Sequence, residues 1–236
     1  MSIKLFDLAG ADPDLRFSPY CWRTKMALKH KGLGFETIPW RFTDKDKLAP
    51  AGSVRVPTLI DGTKWVHDSW TIALYLDEAY PTRPKLFPDL AARIHARFLN
   101  SWSDWSLLPN AREMTVPQVF ANIDPKDKAY FRESREKALG TPLEKVGEDR
   151  AAARKKFVQG LKPAEVMLGD HVFLHGAAPG YGDYAVFGAL MWPYTLTPEP
   201  LFPEESAVAA WFGRMLALFD GYAAKAPTVR TLRAKA

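Results

Sequence analysis

Nearly all of the strand signals in this 236-residue chain lie before residue 67, and that asymmetry restricts the fold more than any other feature. Residues 3–7 and 35–39 alternate apolar and polar side chains among β-favouring types, which reads as two short strands. Residues 55–66 read as two more, folded about Asp61-Gly62, because Asp-Gly between alternating runs is a strong hairpin signal. Between the first two strands, Ser18-Pro19-Tyr20-Cys21 opens a helix: serine can cap it, and proline suits a first position whose N–H has no partner anyway. Lys29, His30 and Lys31 gather in its last turn, and Gly32 can close it. Asp68-Ser69 opens another helix, with Ile72, Leu74, Tyr75, Leu76 and Ala79 near helical spacing. One short helix is expected around 44–48. The order over the first 80 residues is therefore β-α-β-(short α)-β-β-α.

Pro81, Pro84 and Pro88 fall within nine residues that show no periodicity, which marks a linker. Beyond them, residues 91–108, 126–139, 150–167, 184–194 and 207–224 read as helices separated by breaks containing Pro or Gly. The predicted division is an α/β domain over 1–80, a linker over 81–88 and an all-α domain over 89–236.

The composition is 47% hydrophobic and 25% charged, which disfavours wholesale disorder. Lys and Arg total 32 against 27 Asp and Glu, and this excess is scattered rather than gathered into a basic block. No nucleic-acid or membrane partner is predicted, although small anionic ligands suit such a charge. No apolar run approaches the roughly 18 residues needed to span a bilayer. The opening Met-Ser-Ile-Lys-Leu-Phe-Asp-Leu is too short an apolar stretch for a signal peptide and reads as a strand. One cysteine excludes an intramolecular disulfide, and no Cys/His spacing suggests a metal site. The expectation is a cytoplasmic, non-metallic protein.

Two constellations carry chemistry. A strand leading through a turn into Ser18-Pro19-Tyr20-Cys21 is an arrangement used to manage thiols, because a helix N-terminus carries about half a positive charge and favours a thiolate. With serine in the first position, dithiol redox cycling is excluded there. Ser18 can instead donate a hydrogen bond to another molecule's thiolate and lower its pKa. Taken alone, Ser18 and Pro19 also suit a plain helix start, and Cys21 suits a small buried hydrophobe. The second constellation is Val56-Pro57 followed by Asp68-Ser69. A proline opening a strand cannot donate to the sheet, and a cis bond there would turn the Val56 N–H and C=O outward to an extended peptide. Asp68 offers a carboxylate to an ammonium group, while Ser69 and the helix N–H groups suit a carboxylate. Each piece alone can be a mere cap, and it is their order within one β-α-β-β-α unit that favours a ligand site.

With these residues in this order, the chain resembles the cytosolic glutathione transferases, whose first domain is thioredoxin-like. Gly180-Tyr181-Gly182-Asp183 resembles the capping box that opens the core helix of the family's second domain, with Gly180 where Ser or Thr is usual. Residues 18–32, Trp65-Val66-His67-Asp68-Ser69-Trp70 and the stretch 130–150 are similar to bacterial lignin β-etherases and their fungal glutathione-transferase relatives. The resemblance implies a thioredoxin-like α/β domain followed by an all-α domain, with glutathione as cosubstrate. It implies a homodimer and a role in detoxification.

It further implies that the cysteinyl backbone of glutathione pairs with Val56 beside Pro57 and Arg55, that its γ-glutamyl end meets Asp68 and Ser69, and that its sulfur lies by Ser18. The glycine carboxylate needs a cation, and Arg41, Lys45 and Lys47 all fall in the right segment, Lys45 being the one carried forward. Tyr20, Trp102, Trp105 and Leu108 are the candidates for the wall holding an apolar, aromatic electrophile. The reaction expected is attack of the glutathione thiolate on that electrophile. Cleavage of a β-aryl ether, glutathione binding without catalysis, and deglutathionylation through Cys21 are the alternatives.

Overall fold

The computed structural model describes residues 3–234, so Met1, Ser2, Lys235 and Ala236 lie outside the described residues. Strand β1 (Ile3–Leu8) leads through a turn-rich loop into α1 (Pro19–His30), which crosses back to β2 (Phe35–Trp40). The two strands pair in parallel with Leu5 opposite Thr37, the crossover between them being made by α1. A 3₁₀ turn (Lys45–Ala51) precedes the hairpin of β3 (Thr58–Asp61) and β4 (Lys64–His67), and α2 (Ser69–Ala79) follows. β3 runs antiparallel to β1, giving the order β2-β1-β3-β4. The hairpin turns at Gly62, whose φ of 60° is one that a residue with a Cβ rarely adopts.

β1 is buried on both faces except at Lys4, because alternate side chains feed two different cores. Ile3 and Leu5 join Trp22, Met26 and Leu28 of α1 and Leu76 of α2. Phe6 and Leu8 point the other way, into a second cluster with Phe17 and Trp40 that continues into the helical half at Val119 and Phe131.

The helical half comprises α3 (Leu90–Trp102), α4 (Leu108–Asn122), α5 (Lys128–Leu139), α6 (Arg150–Gly160), α7 (Lys162–Asp170), α8 (Tyr181–Leu196), α9 (Ala207–Gly221) and α10 (Val229–Arg233). Several boundaries differ from those expected. The predicted helix over 91–108 is interrupted by a π-turn at Ser103–Leu107, after which the chain continues as the unanticipated α4. This segment holds Pro109 and Pro117, and Pro109 occupies the first turn, where its missing N–H costs little. The predicted helix over 150–167 is two helices that break at Leu161, with Pro163 in the first turn of the second. The last predicted helix leaves helical geometry at Leu218, and Phe219 and Asp220 take left-handed φ values of 55° and 58°.

α8 is buried along nearly its whole length and forms the spine of the helical half. Asp183 opens it by accepting N–H groups from Leu174 (2.8 Å), His175 (3.1 Å) and Gly180 (3.1 Å) and from the Trp211 indole (2.9 Å). The missing hydroxyl at Gly180 has a steric cause, since a Cβ there would sit 2.5 Å from the His175 ring. Further along α8, a Cβ at Gly188 would collide with the Pro19 carbonyl. That glycine lets α8 press against the first turn of α1, so the helical half sets the position of Ser18.

Candidate active site

Ser18 is the N-cap of α1, with extended backbone (φ −64°, ψ 123°), and its Oγ accepts the Cys21 N–H at 3.3 Å. It is 3% exposed. The Cys21 thiol also lies within side-chain hydrogen-bonding reach of its hydroxyl, and a ligand arriving there meets that hydroxyl and a helix N-terminus with no acidic side chain in the first turn.

The Val56-Pro57 peptide is cis, as expected. Among the described residues, the Val56 N–H and C=O make no hydrogen bond. The Pro57 carbonyl accepts the Asp68 N–H at 3.3 Å, tying the head of β3 to the start of α2. Asp68 caps α2 from a left-handed conformation (φ 71°), and its Oδ1 accepts the Thr71 N–H at 2.9 Å and the Thr71 hydroxyl at 3.0 Å. Its Oδ2 is left without a partner on an exposed side chain, while Ser69 beside it is buried.

Next to Ser18 opens a cavity of about 630 Å³. Phe17, Ser18, Tyr20, Trp40, Phe42 and Val56 form its α/β wall. Leu108, Val116, Tyr130, Phe131 and Trp192 face them from the helical half. Asp104 and three arginines, Arg55, Arg112 and Arg135, are the charged residues of the lining.

The two walls are fastened at two places. The buried Arg23 guanidinium, from α1, donates to Asn100 (3.1 Å), Ser103 (2.9 Å) and Asp104 (2.7 Å). On the other side, buried Asp127 accepts the Phe42 N–H (2.9 Å), the Thr43 N–H (3.0 Å) and the Thr43 hydroxyl (2.6 Å). Ion pairs Arg41–Asp124 (2.8 Å) and Lys126–Asp44 (2.6 Å) flank that clasp. They hold the segment after β2 against the start of α5, which brings Phe42 into the cavity wall.

These bonds also sort the three candidate cations. Arg41 is engaged by Asp124, and Lys47 by Asp44 at 2.9 Å. Lys45 has no carboxylate within 4.0 Å among the described residues, and its ammonium lies 4.2 Å from the centre of the Tyr130 ring, at the cavity lining.

Of the other residues singled out in the sequence, Tyr20 and Leu108 line the cavity, whereas Trp102 and Trp105 do not. Trp102 packs against the helical core, and Trp105 is 85% exposed. The π-turn is the reason: its extra residue rotates the face that a regular helix would have carried forward from α3. Tyr20 lies against the Arg23 guanidinium at 4.8 Å, and burial, then Asp104, pushes its phenol pKa up, so it faces the cavity as a neutral donor. Cys21 turns away from the cavity, with its Sγ 3.9 Å from the Phe6 carbonyl. Burial first, and Asp7 second, push its thiol pKa up. In the folded protein Cys21 is therefore expected to resist a thiol-reactive disulfide reagent at neutral pH and to react fully once denatured. Rapid native labelling would restore Cys21 as a nucleophile.

Trp40, Phe42, Phe131, Trp192, Arg112 and Arg135 were not anticipated as lining residues. Their only sequence signal was that Phe131 and Arg135 fall in the stretch 130–150 noted above.

A parallel-antiparallel sheet of order β2-β1-β3-β4 with the start of α1 at the cavity, followed by a helical bundle, is the thioredoxin-like plus all-α architecture expected from the sequence. Comparison with known proteins agrees. The family model for the glutathione S-transferase N-terminal domain matches residues 17–79, and that for the C-terminal domain matches residues 95–220. The chain is 30% identical over 211 residues to a probable glutathione S-transferase of Oryza sativa subsp. japonica, covering 85% of this chain and 82% of the relative. It is 28% identical over 205 residues to glutathione S-transferase U28 of Arabidopsis thaliana, covering 84% and 80%. Its fold is similar to that of a glutathione S-transferase of Ceriporiopsis subvermispora crystallised in complex with glutathione, with TM-score 0.81, 27% identity and coverage of 94% and 98%. The chain belongs to the glutathione S-transferase family and is a glutathione transferase enzyme. Among the described residues, no helix is long and apolar enough to cross a membrane, and no group of three or more His, Cys, Asp or Glu could hold a metal ion.

Proposed function

We propose that this chain binds glutathione along the head of β3 and activates its sulfur at Ser18 for attack on an apolar, aromatic electrophile held in the cavity. The observation that carries the reading is the meeting, at one cavity, of a hydroxyl on a helix N-terminus and an unpaired Val56 main chain. In this reading the cysteinyl N–H and C=O of glutathione pair with Val56, Pro57 leaves the Val56 main chain outside the sheet ladder ahead of β3, and Asp68 and Ser69 take the γ-glutamyl ammonium and carboxylate. Lys45 takes the glycine carboxylate, with Arg55 beside it. The proposed division of labour follows the predicted domains: residues 1–80 hold glutathione, 81–88 link, and 89–236 supply the opposite wall.

A free thiol has a pKa of about 8.5, and lowering it by about two units, roughly 2.7 kcal/mol, makes the thiolate dominant at neutral pH. One charge-assisted hydrogen bond and a helix dipole together supply that much. The aromatic lining supplies the affinity for the second substrate. Removing about 150 Å² of apolar ring surface from water is worth roughly 4 kcal/mol. The cytosol, a reducing compartment with a glutathione pool, is where such a site would work.

Displacement of a halide from an aryl ring and cleavage of a β-aryl ether differ in leaving group, and the aromatic cavity suits both. Calorimetry with glutathione, followed by a panel containing a chromogenic halonitroarene and a β-aryl ether, separates the outcomes. Glutathione binding with turnover of at least one electrophile is expected. Absence of glutathione binding would sink the reading.

A homodimer belongs to the same proposal. Leu90, Ile94 and Phe98 are spaced four apart on α3 and are 61%, 61% and 68% exposed, and Trp105, within the π-turn, is exposed as well. A second copy of this chain is the proposed cover. Phe98→Glu is expected to shift the sedimenting species from dimer to monomer without loss of helical circular dichroism, and a variant that stays dimeric would exclude this face.

A further inference from the structure

The cavity is apolar in its walls and cationic in its charge. Arg55, Arg112 and Arg135 all line it, and none has a carboxylate within 4.0 Å among the described residues. The one carboxylate in the lining, Asp104, is already engaged, its Oδ1 by Arg23 at 2.7 Å and its Oδ2 by the Asn100 amide at 2.9 Å. Arg135 is held in place: its Nη1 donates to Ser134 Oγ at 3.1 Å, and its guanidinium stacks 4.8 Å from the Phe131 ring centre and 5.6 Å from that of Phe42. Burial first, with Arg55 and Arg112 adding repulsion that Tyr130 partly offsets, holds its pKa below the usual range. Like charges gathered in a half-buried cleft oppose folding, and an arriving anion relieves their repulsion.

We propose that Arg112 and Arg135, both on the helical wall, hold an acidic group carried by the electrophile, so that the preferred second substrate is an aromatic acid rather than a neutral arene. This rests on the reading of the cavity as the electrophile site. Arg55 lies on the opposite, α/β wall, beside Val56, and is left to glutathione. The pairing of an aromatic ring with a planar carboxylate matches the site: the ring enters among Phe42, Phe131 and Trp192, and the carboxylate meets two guanidinium forks at its rim.

The test compares 4-chloro-3,5-dinitrobenzoate with the uncharged 4-chloro-3,5-dinitrobenzamide. In both, the glutathione thiolate attacks the chlorine-bearing carbon, a C–S bond forms, the C–Cl bond breaks, and chloride leaves with the bonding electron pair. Relative to the uncatalysed reaction of each compound, the wild-type enzyme is expected to favour the acid. Arg112→Met and Arg135→Met should each lower kcat/KM for the acid by about 10- to 100-fold. The KM for glutathione should stay within about twofold, the amide should lose far less than the acid so that the acid-to-amide ratio of kcat/KM falls about tenfold or more, and Arg135→Lys should recover part of that ratio. Equal effects on acid and amide, or a raised glutathione KM with either, would overturn the proposal and give these arginines to packing or to glutathione. Should neither compound turn over, the transferase reading of the cavity fails, and quenching of tryptophan fluorescence by unreactive 3,5-dinitrobenzoate still decides the anion site. Weaker quenching in the Met variants, with 3,5-dinitrobenzamide unaffected, supports it, and no difference between the variants and the wild type overturns it.

Discussion

Asp68→Ala is expected to raise the KM for glutathione by about 10- to 150-fold and to leave kcat nearly unchanged, the loss of about 1.5–3 kcal/mol of binding shared by ground and transition states. The reason is distance along the ligand. The γ-glutamyl ammonium proposed to meet the free Oδ2 is remote from the sulfur, so its contact does not change as the C–S bond forms. Asp68 also caps α2 through Thr71 at 2.9 Å, and loss of the cap costs about 1 kcal/mol of stability, so Asp68→Asn, which keeps the capping oxygen, is the companion variant. Asn keeps the cap and loses the charge, and its KM should therefore rise nearly as far as that of Ala. Steady-state kinetics at saturating electrophile measures both. An unchanged KM with collapsed turnover would mean that glutathione lies elsewhere.

Ser18→Ala has the opposite signature. Turnover at neutral pH should fall by about 10- to 100-fold, the scale of one lost hydrogen bond to a charged group, while glutathione affinity should change little. Activity is not abolished, because the N-terminus of α1 and its backbone N–H groups remain. The pH dependence follows from the sign of the shift. The hydroxyl stabilises the thiolate and lowers its pKa, so the variant's thiol titrates at higher pH and its rate recovers as the pH is raised. The variant also loses a cap, which accepts the Cys21 N–H at 3.3 Å, at a cost of about 1 kcal/mol, and a melting curve must accompany the kinetics. A folded Ser18→Ala protein with an unaltered pH–rate profile would move the sulfur to Tyr20 or to a backbone amide.

The α/β half was legible because its elements carry their own punctuation. Ser18-Pro19 starts α1 and Asp61-Gly62 turns the hairpin through local backbone preferences that need no distant partner. Asp68, whose left-handed φ no local rule foretold, still marked the start of α2. The helical half was harder to read because its prolines misled. Pro109 and Pro163 sit in first turns, where they are tolerated, and Pro117 sits inside α4. The π-turn at Ser103–Leu107 has no sequence signature, and it is what takes Trp105 out of the wall and turns it to the surface.

The candidate site divides along the same line. Ser18, Val56-Pro57 and Asp68-Ser69 were visible because each lies at the start of an element. Arg112, Arg135 and Trp192 were not, since tertiary packing alone brings three helices to one cavity. Gly188 seats α8 against Pro19, and Asp127 clasps Phe42 and Thr43 to the start of α5. Neither effect can be read from periodicity. The wall facing Ser18 is a product of these close approaches rather than of any motif.

The assignment of the glutathione sulfur to Ser18 is tested most directly by titrating the thiolate ultraviolet absorbance of bound glutathione, in the wild-type protein and in Ser18→Ala. The wild-type complex should show a thiol pKa about two units below the free value of about 8.5, and the Ser18→Ala complex a pKa part of the way back toward it. Superimposable titrations of the two complexes, or a wild-type thiol that titrates at the free value, would contradict it.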